Sequence, residues 1–337
     1  MRAVCLYEQG DIDRLTLEEN FPDPTAGEGQ VVIRVRATSL NYHDVFTCQG
    51  MPGIKLPMPM IIGLDIAGEI VEIGPGVPGW KAGDPVLVNP LDPIEPAKGL
   101  MGEVIHGGTA ELCVVDATRL IRIPDGVSFA QAASLPVAYG TAHRMMFTNG
   151  GMQGGEKVLI LGASGGVGSC CVLLSKMIGC EVVACGSTGD KLRALKDWGA
   201  DHVINYREKD FVREVWGLYD KPHRRKYTGG VDVAINFTGG DTWAQSFKAT
   251  KRGGKILTCG ATAGYDPKTD IRYIWTFELK VLGSNSWAPS DLETLMKLIA
   301  EGRFKPVIDT VLPLAETREG VRQLRDREVI GKIIIEP

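Results

Sequence analysis

A glycine-rich stretch near the middle of the chain has the residue types and the spacing to bind a pyrophosphate. It reads KVLILGASGGVG over residues 157–168. The apolar run at 158–161 predicts a buried strand, a tight turn follows, and the apolar segment beyond Gly168 has the length of a helix. Glycines without a Cβ let the backbone approach a phosphate, and a helix N-terminus attracts its charge. The spacing Ala163-x-Gly165-x-x-Gly168 has alanine where the commonest dinucleotide fingerprint has its first glycine. The predicted cofactor contacts of this turn are Ala163, Ser164, Gly165, Gly166, Val167 and Gly168.

The segment after the next predicted strand favours NADP over NAD. An NAD site usually has an acid about twenty residues past the glycine motif, where it binds the ribose 2′-hydroxyl. Here the strand at 181–185 ends without an acid at its tip. The hydroxyl of Ser187 and the ammonium of Lys191 suit a 2′-phosphate instead, and Tyr206 could close over the ribose. Two alternatives stay open: Ser187 and Lys191 only cap and solvate a helix start, or Asp190 reaches the ribose.

The elements that position these residues follow two patterns along the chain. Up to about residue 126, short β-like segments are separated by glycine and proline, which is typical of a compact, partly barrel-like β domain. From Ser128 onward strands alternate with helices, which predicts a doubly wound parallel sheet. The predicted strands of this sheet are 158–161, 181–185, 202–205, 231–236, 254–259 and 280–284. The predicted helices are 167–179, 189–198, 207–219, 241–251 and 290–301.

These patterns divide the chain into three parts. Residues 1–126 form a β-rich domain, with strands predicted at 30–37, 67–73, 85–88 and 110–115. Residues 127–285 form the parallel α/β domain that carries the glycine motif. Residues 286–337 return through a helix to a last apolar strand, which we expect to pack back onto the first domain.

Composition and charge exclude several classes of partner. The chain has 337 residues and a net charge of −4, which argues against nucleic acid or an anionic membrane as its main partner. No apolar run is long enough to cross a bilayer, and the start, MRAVCLYEQGD, alternates like a strand and does not resemble a signal peptide. The eight cysteines are scattered, which favours free thiols in the cytoplasm. We therefore expect a cytoplasmic protein with a small-molecule substrate.

Short motifs are spread over nearly the whole chain. They are Leu40-Asn41-Tyr42-His43-Asp44, Gly63-Leu64-Asp65-Ile66-Ala67-Gly68, Glu72-Ile73-Gly74-Pro75-Gly76-Val77, Gly83-Asp84, Gly107-Gly108-Thr109-Ala110-Glu111, Leu135-Pro136, Thr141-Ala142, the glycine motif and Thr238-Gly239-Gly240. Together they resemble the medium-chain dehydrogenase/reductase superfamily, and within it the zinc-free quinone oxidoreductase-like enzymes. The resemblance implies an α/β fold, with a GroES-like β-rich catalytic domain, a Rossmann doubly wound parallel sheet of six strands and a cofactor cleft between them. It also implies a homodimer, for which the predicted edge strand at 280–284 is a candidate interface.

The resemblance also implies roles for residues of the first domain. Asn41 matches a position beside the nicotinamide, where its amide could orient the ring or a substrate oxygen; the alternative is an asparagine that only caps a turn. Tyr42 and His43 have groups that could donate a proton, or they only line the cleft. These three residues, Asn41, Tyr42 and His43, are the catalytic candidates.

Further cofactor contacts are expected where strands of the second domain end. Ligands of open α/β sheets bind outside the carboxyl ends of the strands, which here include Thr238, Gly239, Gly260 and Ala261. The resemblance adds Thr141, which faces the cofactor in relatives unless it is simply buried in a helix, and Lys332, near the cofactor phosphates. The alternative for Lys332 is a solvated lysine at a strand end.

Zinc is not expected, because the residues that match the ligand positions of related alcohol dehydrogenases are unsuitable. A catalytic zinc needs three protein ligands. Asn41 stands at the position of a ligand cysteine, Gly63-Leu64-Asp65 at that of Gly-His-Glu, and Pro136 or Val137 at that of a second cysteine. The loop 91–108, which corresponds to their cysteine-rich structural loop, has no cysteine. We therefore expect no metal in this chain.

Without a metal, the chemistry that fits best is hydride transfer to a carbon that is already electrophilic. A conjugated C=C or a quinone accepts hydride and then needs only modest anion stabilisation and a proton. We therefore expect an NADPH-dependent, zinc-independent oxidoreductase that reduces quinones or α,β-unsaturated carbonyl compounds with apolar groups. The alternatives are an alcohol dehydrogenase or aldehyde reductase of the same superfamily, and a non-catalytic NADPH-binding member.

Overall fold

Two units make up the chain, and the first of them is built from both ends of the sequence. The computed structural model describes residues 1–50 and 55–337. Unit 1 comprises Met1–Gly140 and Ala288–Pro337, and unit 2 comprises Thr141–Trp287. In the described part of the chain, none of the helices has the length and apolar character that a membrane span requires.

Short strands dominate the N-terminal part of unit 1. Its elements are β1 (Ala3–Leu6), β2 (Leu15–Glu18), β3 (Gln30–Leu40), α1 (Tyr42–Gln49), β4 (Met60–Ile61), β5 (Asp65–Ile73), β6 (Pro85–Val88), β7 (Leu112–Asp116), β8 (Leu120–Arg122) and α2 (Phe129–Ala133). A π-helical turn, Leu135–Gly140, follows α2. The longest strand, β3, alternates buried and exposed side chains over part of its length, as a strand does when one face of its sheet covers a core.

Unit 2 is the predicted Rossmann fold. Its elements are α3 (Thr141–His143), β9 (Lys157–Ile160), α4 (Gly166–Met177), β10 (Glu181–Gly186), α5 (Gly189–Asp197), β11 (His202–Asn205), α6 (Phe211–Tyr219), β12 (Val231–Ile235), α7 (Gly240–Ala249), β13 (Thr250–Thr258), α8 (Ile271–Thr276) and β14 (Lys280–Gly283). The strands are all parallel, in the order β11-β10-β9-β12-β13-β14. This is the strand order of dinucleotide-binding sheets, and the predicted fold class is confirmed.

The C-terminal segment completes the main sheet of unit 1. Its elements are α9 (Pro289–Ala300), β15 (Ile308–Pro313), α10 (Thr317–Arg325) and β16 (Lys332–Glu336). β16 pairs antiparallel with β3 and parallel with β15, in a sheet of order β15-β16-β3-β5-β6-β8. The first four residues of β16 are buried, so this strand is anchored by its apolar side chains as well as by its backbone.

Unit 1 extends beyond the boundary that the change of pattern at residue 126 predicts. α2 is a well-formed helix start: Ser128 Oγ accepts from Gln131 N at 3.2 Å, and Gln131 Oε1 accepts from Ser128 N at 2.9 Å. The helix nevertheless packs on β3 and β5, with Ala132 and Ala133 fully buried. A helix that opens an alternating pattern can therefore still belong to the preceding β domain.

A buried arginine holds the loop between β6 and β7. Arg119 is 1% exposed and donates to the carbonyls of Pro90 and Gly99, at 2.6 and 3.2 Å. Its Nε lies 3.9 Å from Asp92 Oδ2, which also accepts from Thr118 Oγ1 at 2.8 Å. These contacts fix the residues at both ends of the loop 90–99.

Candidate active site

The glycine turn, residues 162–168, joins β9 to α4 and is closely packed. Gly162 has a φ of +69°, and its carbonyl accepts from Gly165 N at 3.3 Å. A Cβ on Gly168 would lie only 2.3 Å from the Gly162 carbonyl oxygen, so the helix can start this close to the strand only with glycine there. No side chain caps α4, which begins after Gly165. The first N–H groups of the helix are therefore suited to an anion.

The carboxyl ends of β10 and β11 bring together the residues predicted for the adenosine ribose. Tyr206, which is 43% exposed, donates its N–H to the Gly186 carbonyl at 3.1 Å, so it lies beside the end of β10. The helix cap here is Thr188, whose Oγ1 accepts from Lys191 N at 3.4 Å; Ser187 does not serve as the cap. Lys191 is buried at 7% exposure.

Asp190, the acid that complicates the cofactor assignment, forms an ion pair within α5. Its carboxylate contacts the guanidinium of Arg193, one turn further along the helix. Both side chains are largely exposed. The negative charge at this end of the sheet is therefore offset by a neighbouring positive charge.

A buried asparagine that the sequence analysis did not single out shapes the turn after β12. Asn236 Oδ1 accepts from the backbone N–H groups of Thr238 and Gly239, both at 3.0 Å. Its Nδ2 donates to Ser246 Oγ on α7 at 2.8 Å. The turn packs against the segment after β13, since Ala263 N donates to the Thr238 carbonyl at 2.7 Å. An asparagine one residue beyond a buried strand is the signal that could have found it.

The predicted cofactor contacts thus fall almost entirely in unit 2. The glycine turn, Ser187, Tyr206, Thr238 and Gly239, and Gly260 and Ala261 follow the carboxyl ends of five neighbouring strands. Thr141 is the first residue of the unit and is 8% exposed. Lys332 is the exception, because it belongs to unit 1.

In unit 1, Lys332 is the centre of a buried polar network. Its ammonium donates to the Leu40 carbonyl at 2.9 Å and to Asn41 Oδ1 at 2.5 Å, and it lies 3.3 Å from Asp65 Oδ2. The side chains of Lys332 and Asp65 are 2% and 0% exposed. Burial lowers the pKa of Lys332, and the carboxylate of Asp65 acts in the opposite direction. The alternative of a solvated strand-end lysine is wrong, because β16 carries this residue into the sheet.

Asp65 joins three further segments to this lysine. Its Oδ2 accepts from Ser39 Oγ at 2.6 Å and from Asn41 Nδ2 at 2.8 Å, and its Oδ1 accepts from Val137 N at 2.9 Å. We call Ser39, Asn41, Asp65 and Lys332 the Lys332–Asp65 network. Both ends of the Asn41 amide are engaged in it, so the geometry gives Asn41 a positioning role at the start of α1.

Asp44 ties the start of α1 to the segment between β4 and β5. Its Oδ2 accepts from Asn41 N at 2.7 Å, and its Oδ1 accepts from Gly63 N at 3.1 Å. The side chain is fully buried, and this burial raises the pKa of Asp44 to about 6. This carboxyl anchors the segment that carries the catalytic candidates.

Of the two candidate proton donors, His43 has an acidic partner. His43 Nε2 lies 2.7 Å from Glu103 Oε2, and both side chains are partly buried. Tyr42 packs its ring edge-on against Phe46, with centroids 5.1 Å apart. The sequence did not indicate this pairing, because Glu103 lies 60 positions from His43.

The residues that match the zinc-ligand positions of related alcohol dehydrogenases do not fit a zinc ion. Leu64 has no donor atom, and Val137 offers only a backbone N–H, which already binds Asp65. The oxygens of Asn41 and Asp65 face the Lys332 ammonium, a cation of the chain itself. Over residues 1–50 and 55–337, no three His, Cys, Asp or Glu side chains are grouped closely enough to hold a metal.

Two family models match the chain, and they cover separate ranges of residues. The alcohol dehydrogenase GroES-like domain matches residues 27–125, and the zinc-binding dehydrogenase family matches residues 166–301. Acryloyl-coenzyme A reductase of Sulfurisphaera tokodaii is 30% identical over 95% of this chain and 96% of its own. Quinone oxidoreductase-like protein 2 homolog of Nematostella vectensis is 28% identical over 99% of this chain and 88% of its own. The crystal structure of an NAD-dependent alcohol dehydrogenase is 33% identical, with a TM-score of 0.91 and complete coverage of both chains.

Proposed function

Since the chain belongs to the medium-chain dehydrogenase/reductase superfamily, in its quinone oxidoreductase-like branch, we propose that it is a zinc-independent NADPH-dependent reductase. Its substrates are quinones or α,β-unsaturated carbonyl compounds, to which the dihydronicotinamide supplies a hydride. One observation carries this proposal: in a chain that also has an intact dinucleotide-binding fold, the Lys332 ammonium contacts the oxygens of Asn41 and Asp65 at the positions of the zinc ligands. An activated double bond needs no Lewis acid, whereas an isolated carbonyl calls for a stronger electrophile.

The residues at the ends of β10 and β11 support NADPH as the cofactor. Asp190 pairs with Arg193, and the tip of β10 carries the hydroxyl of Ser187. A hydroxyl and a nearby basic residue such as Lys191 stabilise a 2′-phosphate, whereas a carboxylate at the tip of β10 would repel it. The substitution Ser187→Asp should therefore raise the KM for NADPH at least about tenfold and lower that for NADH. Unchanged KM values for both cofactors would argue against this assignment.

An alcohol dehydrogenase or aldehyde reductase is the second candidate. The likeness of the whole chain to an NAD-dependent alcohol dehydrogenase favours it. The donor set at Asn41, Leu64 and Asp65 argues against a zinc-dependent form of that reaction. A non-catalytic NADPH-binding protein would show cofactor binding without turnover.

The test is to follow oxidation of NADPH and NADH side by side. The acceptors are a benzoquinone, an enone, an enal and a saturated aldehyde, each with and without a chelator. Chelator-insensitive oxidation of NADPH by the conjugated acceptors is expected. Turnover of the saturated aldehyde alone would move the protein to the alcohol dehydrogenases, and loss of activity with chelator would overturn the zinc-independent assignment.

We further propose a homodimer that pairs the β14 edges of two subunits. Among the residues that the structure describes, β14 pairs with β13 alone, and Val281 on β14 is 38% exposed. Nearby in sequence, Ile271 and Trp275 of α8 are exposed at 67% and 69%. An uncovered edge with apolar side chains favours strand pairing across a two-fold axis. Sedimentation should give a dimer for the wild type and a monomer for Val281→Glu; a wild-type monomer would refute the interface.

The redox state of the cysteines favours the cytoplasm as the location. The eight cysteines are present as thiols, and seven of them are buried. Such thiols are typical of a reducing compartment.

A further inference from the structure

Two side chains from distant parts of unit 1 form a close acid–base pair. His43 lies on α1, and Glu103 lies in the turn that follows residue 100. Their contact joins Nε2 to Oε2 at 2.7 Å, and the side chains are 22% and 14% exposed. A pair this short and this sheltered differs from the solvated ion pairs elsewhere on the surface, which contribute little.

Both partners are held against the same backbone position. On one side, Asp44 accepts from Gly63 N at 3.1 Å and so fixes the start of α1. On the other side, the turn that carries Glu103 lies on Gly63, because a Cβ at Gly102 would come within 3.1 Å of its backbone atoms. The turn is closed by Gly102 N, which donates to the Ile105 carbonyl at 2.7 Å. The pair is therefore built into the fold, with little freedom on either side.

The geometry leaves one nitrogen of the imidazole for chemistry. An ionised Glu103 can only accept, so Nε2 carries a hydrogen and donates it. Nδ1 is then bare in the neutral ring and protonated in the imidazolium. We propose that Nδ1 of His43 is the proton donor of the reaction and that Glu103 is its positioning residue. This inference rests on the proposed function, since it names the acid for the same reduction.

The step balances with the groups already named. Hydride adds to the β-carbon of the enone, the C=C electron pair moves to form the enolate, and NADPH becomes NADP⁺. The Nδ1–H of the imidazolium then protonates the α-carbon, which gives the saturated ketone and neutral His43. A hydronium ion of the solvent then returns a proton to Nδ1 and becomes water, while Glu103 keeps Nε2–H oriented.

Two carboxyl groups face this imidazole in the described part of unit 1. Glu103 contacts it directly, and Asp44, the next residue of α1, is close enough for the charge of His43 to lower the pKa of that carboxyl. Burial remains the main influence on Asp44 and raises its pKa to about 6. We call His43 and Glu103 the proton relay, and Glu103 is the residue to replace when this relay is tested.

The first readout is stereochemical. Reduction of an α-methyl cyclic enone creates a new centre at the α-carbon, whose configuration depends on which face receives the proton. The wild type should give one configuration in excess, and His43→Gln should give a nearly racemic product with at least about a tenfold lower kcat. Configuration at the β-carbon, where hydride adds, should be unchanged in a β-substituted analogue.

The second readout is the pH profile of kcat/KM. An imidazolium without its carboxylate is less stable, so in Glu103→Gln the decline of activity with rising pH should move about one unit to lower pH. The chain offers a matched control in unit 2, where His202 Nε2 lies 3.3 Å from Glu181 Oε1. Glu181→Gln removes the same charge from the same kind of pair and should leave the profile unchanged.

A structural role alone would give a different set of results. If the pair only tied α1 to the turn, Glu103→Gln would lower Tm and leave both the pH profile and the α-carbon configuration unchanged. That outcome, with an active wild type, overturns the relay and leaves the proposed function intact. A wild type that reduces no conjugated acceptor overturns the proposed function instead.

A measurement without turnover tests the tautomer on which the relay depends. Nitrogen-15 spectra of neutral histidines distinguish the two tautomers, and His43→Gln identifies the signal of His43. The wild type should show the Nε2–H form, and Glu103→Gln should lose this preference. An Nδ1–H form in the wild type would overturn the assignment of Nδ1 as the donor, whatever the substrate is.

Discussion

Replacing Lys332 with methionine should destabilise unit 1 strongly, although the two side chains are similar in length. The ammonium is buried and contacts three oxygens, of the Leu40 carbonyl, Asn41 and Asp65. In Lys332→Met, the carboxylate of Asp65 stays buried with only neutral donors around it, from Ser39, Asn41 and Val137. Removing one partner of a buried pair costs about 3–5 kcal/mol, and that is the expected loss in the free energy of unfolding.

The double variant Lys332→Met/Asp65→Asn separates the effect of charge from that of packing. Asparagine keeps an acceptor for Val137 N but removes the unpaired charge, so the double variant should recover at least about 2 kcal/mol of the loss. The control is Lys305→Met, at an exposed position of the same unit, which should change stability by less than about 0.5 kcal/mol.

Equilibrium unfolding in urea, with circular dichroism as the probe, measures all three variants. A loss below about 1 kcal/mol for Lys332→Met would refute the reasoning, because it would mean that the buried carboxylate does not depend on the ammonium. A double variant that is less stable than Lys332→Met would also refute the reasoning, because the unpaired charge of Asp65 would then not be the cause of the loss. The same samples should show reduced turnover, because the network positions the start of α1.

Three further predictions concern pH, the glycine turn and the thiols. Burial raises the pKa of Asp44 to about 6, so folding favours its protonated form. The stability of the wild type relative to Asp44→Asn, measured by urea unfolding, should therefore fall by about 2 kcal/mol as pH rises from 4 to 6. Gly168→Ala should lower the free energy of unfolding by at least about 2 kcal/mol, because its Cβ would meet the Gly162 carbonyl, and should lower the NADPH affinity, measured by fluorescence titration, at least about tenfold. Gly217→Ala, which has open space around it, should instead raise the free energy of unfolding by up to about 1 kcal/mol. Burial raises the pKa of thiols such as Cys113 and Cys185 to about 12, so mass spectrometry should show alkylation of the native protein at least about a hundredfold slower than in denaturant.

The parallel sheet could be predicted from sequence because its strands are buried on both faces. Each one reads as a continuous apolar run, and the glycine turn marks the first of them, so the predicted strands at 158–161 and 181–185 lie within a residue of β9 and β10. The elements around α10 were not recognised, because Thr317–Arg325 is mostly polar or charged and only a narrow stripe of it is buried. Its partner β15 alternates half-buried and exposed residues, a weaker signal than that of a core strand.

The sequence indicated which residues are candidates for the site, but it did not indicate which residues contact one another there. The motif 40–44 led to His43 and Asn41. The partner of His43 could not be found in this way, since Glu103 lies 60 positions away in a turn without a recognisable pattern. Lys332 meets Asp65 across 267 positions, and only the pairing of β16 with β3 brings them together. Long-range pairs of this kind follow from topology, which local periodicity does not encode.

Two of the residues that match the catalytic ligand positions of zinc-dependent relatives contact a buried basic side chain in this chain. At the catalytic position it is Lys332, with the oxygens of Asn41 and Asp65. A second buried basic side chain, Arg119, donates to the carbonyl of Gly99 within the loop 91–108 and to that of Pro90 just before it. An ammonium or a guanidinium supplies a positive charge and fixed hydrogen bonds to buried oxygens without any demand for thiolate or imidazole ligands. Replacing either cation should therefore destabilise unit 1, whereas a chelator should leave its stability unchanged.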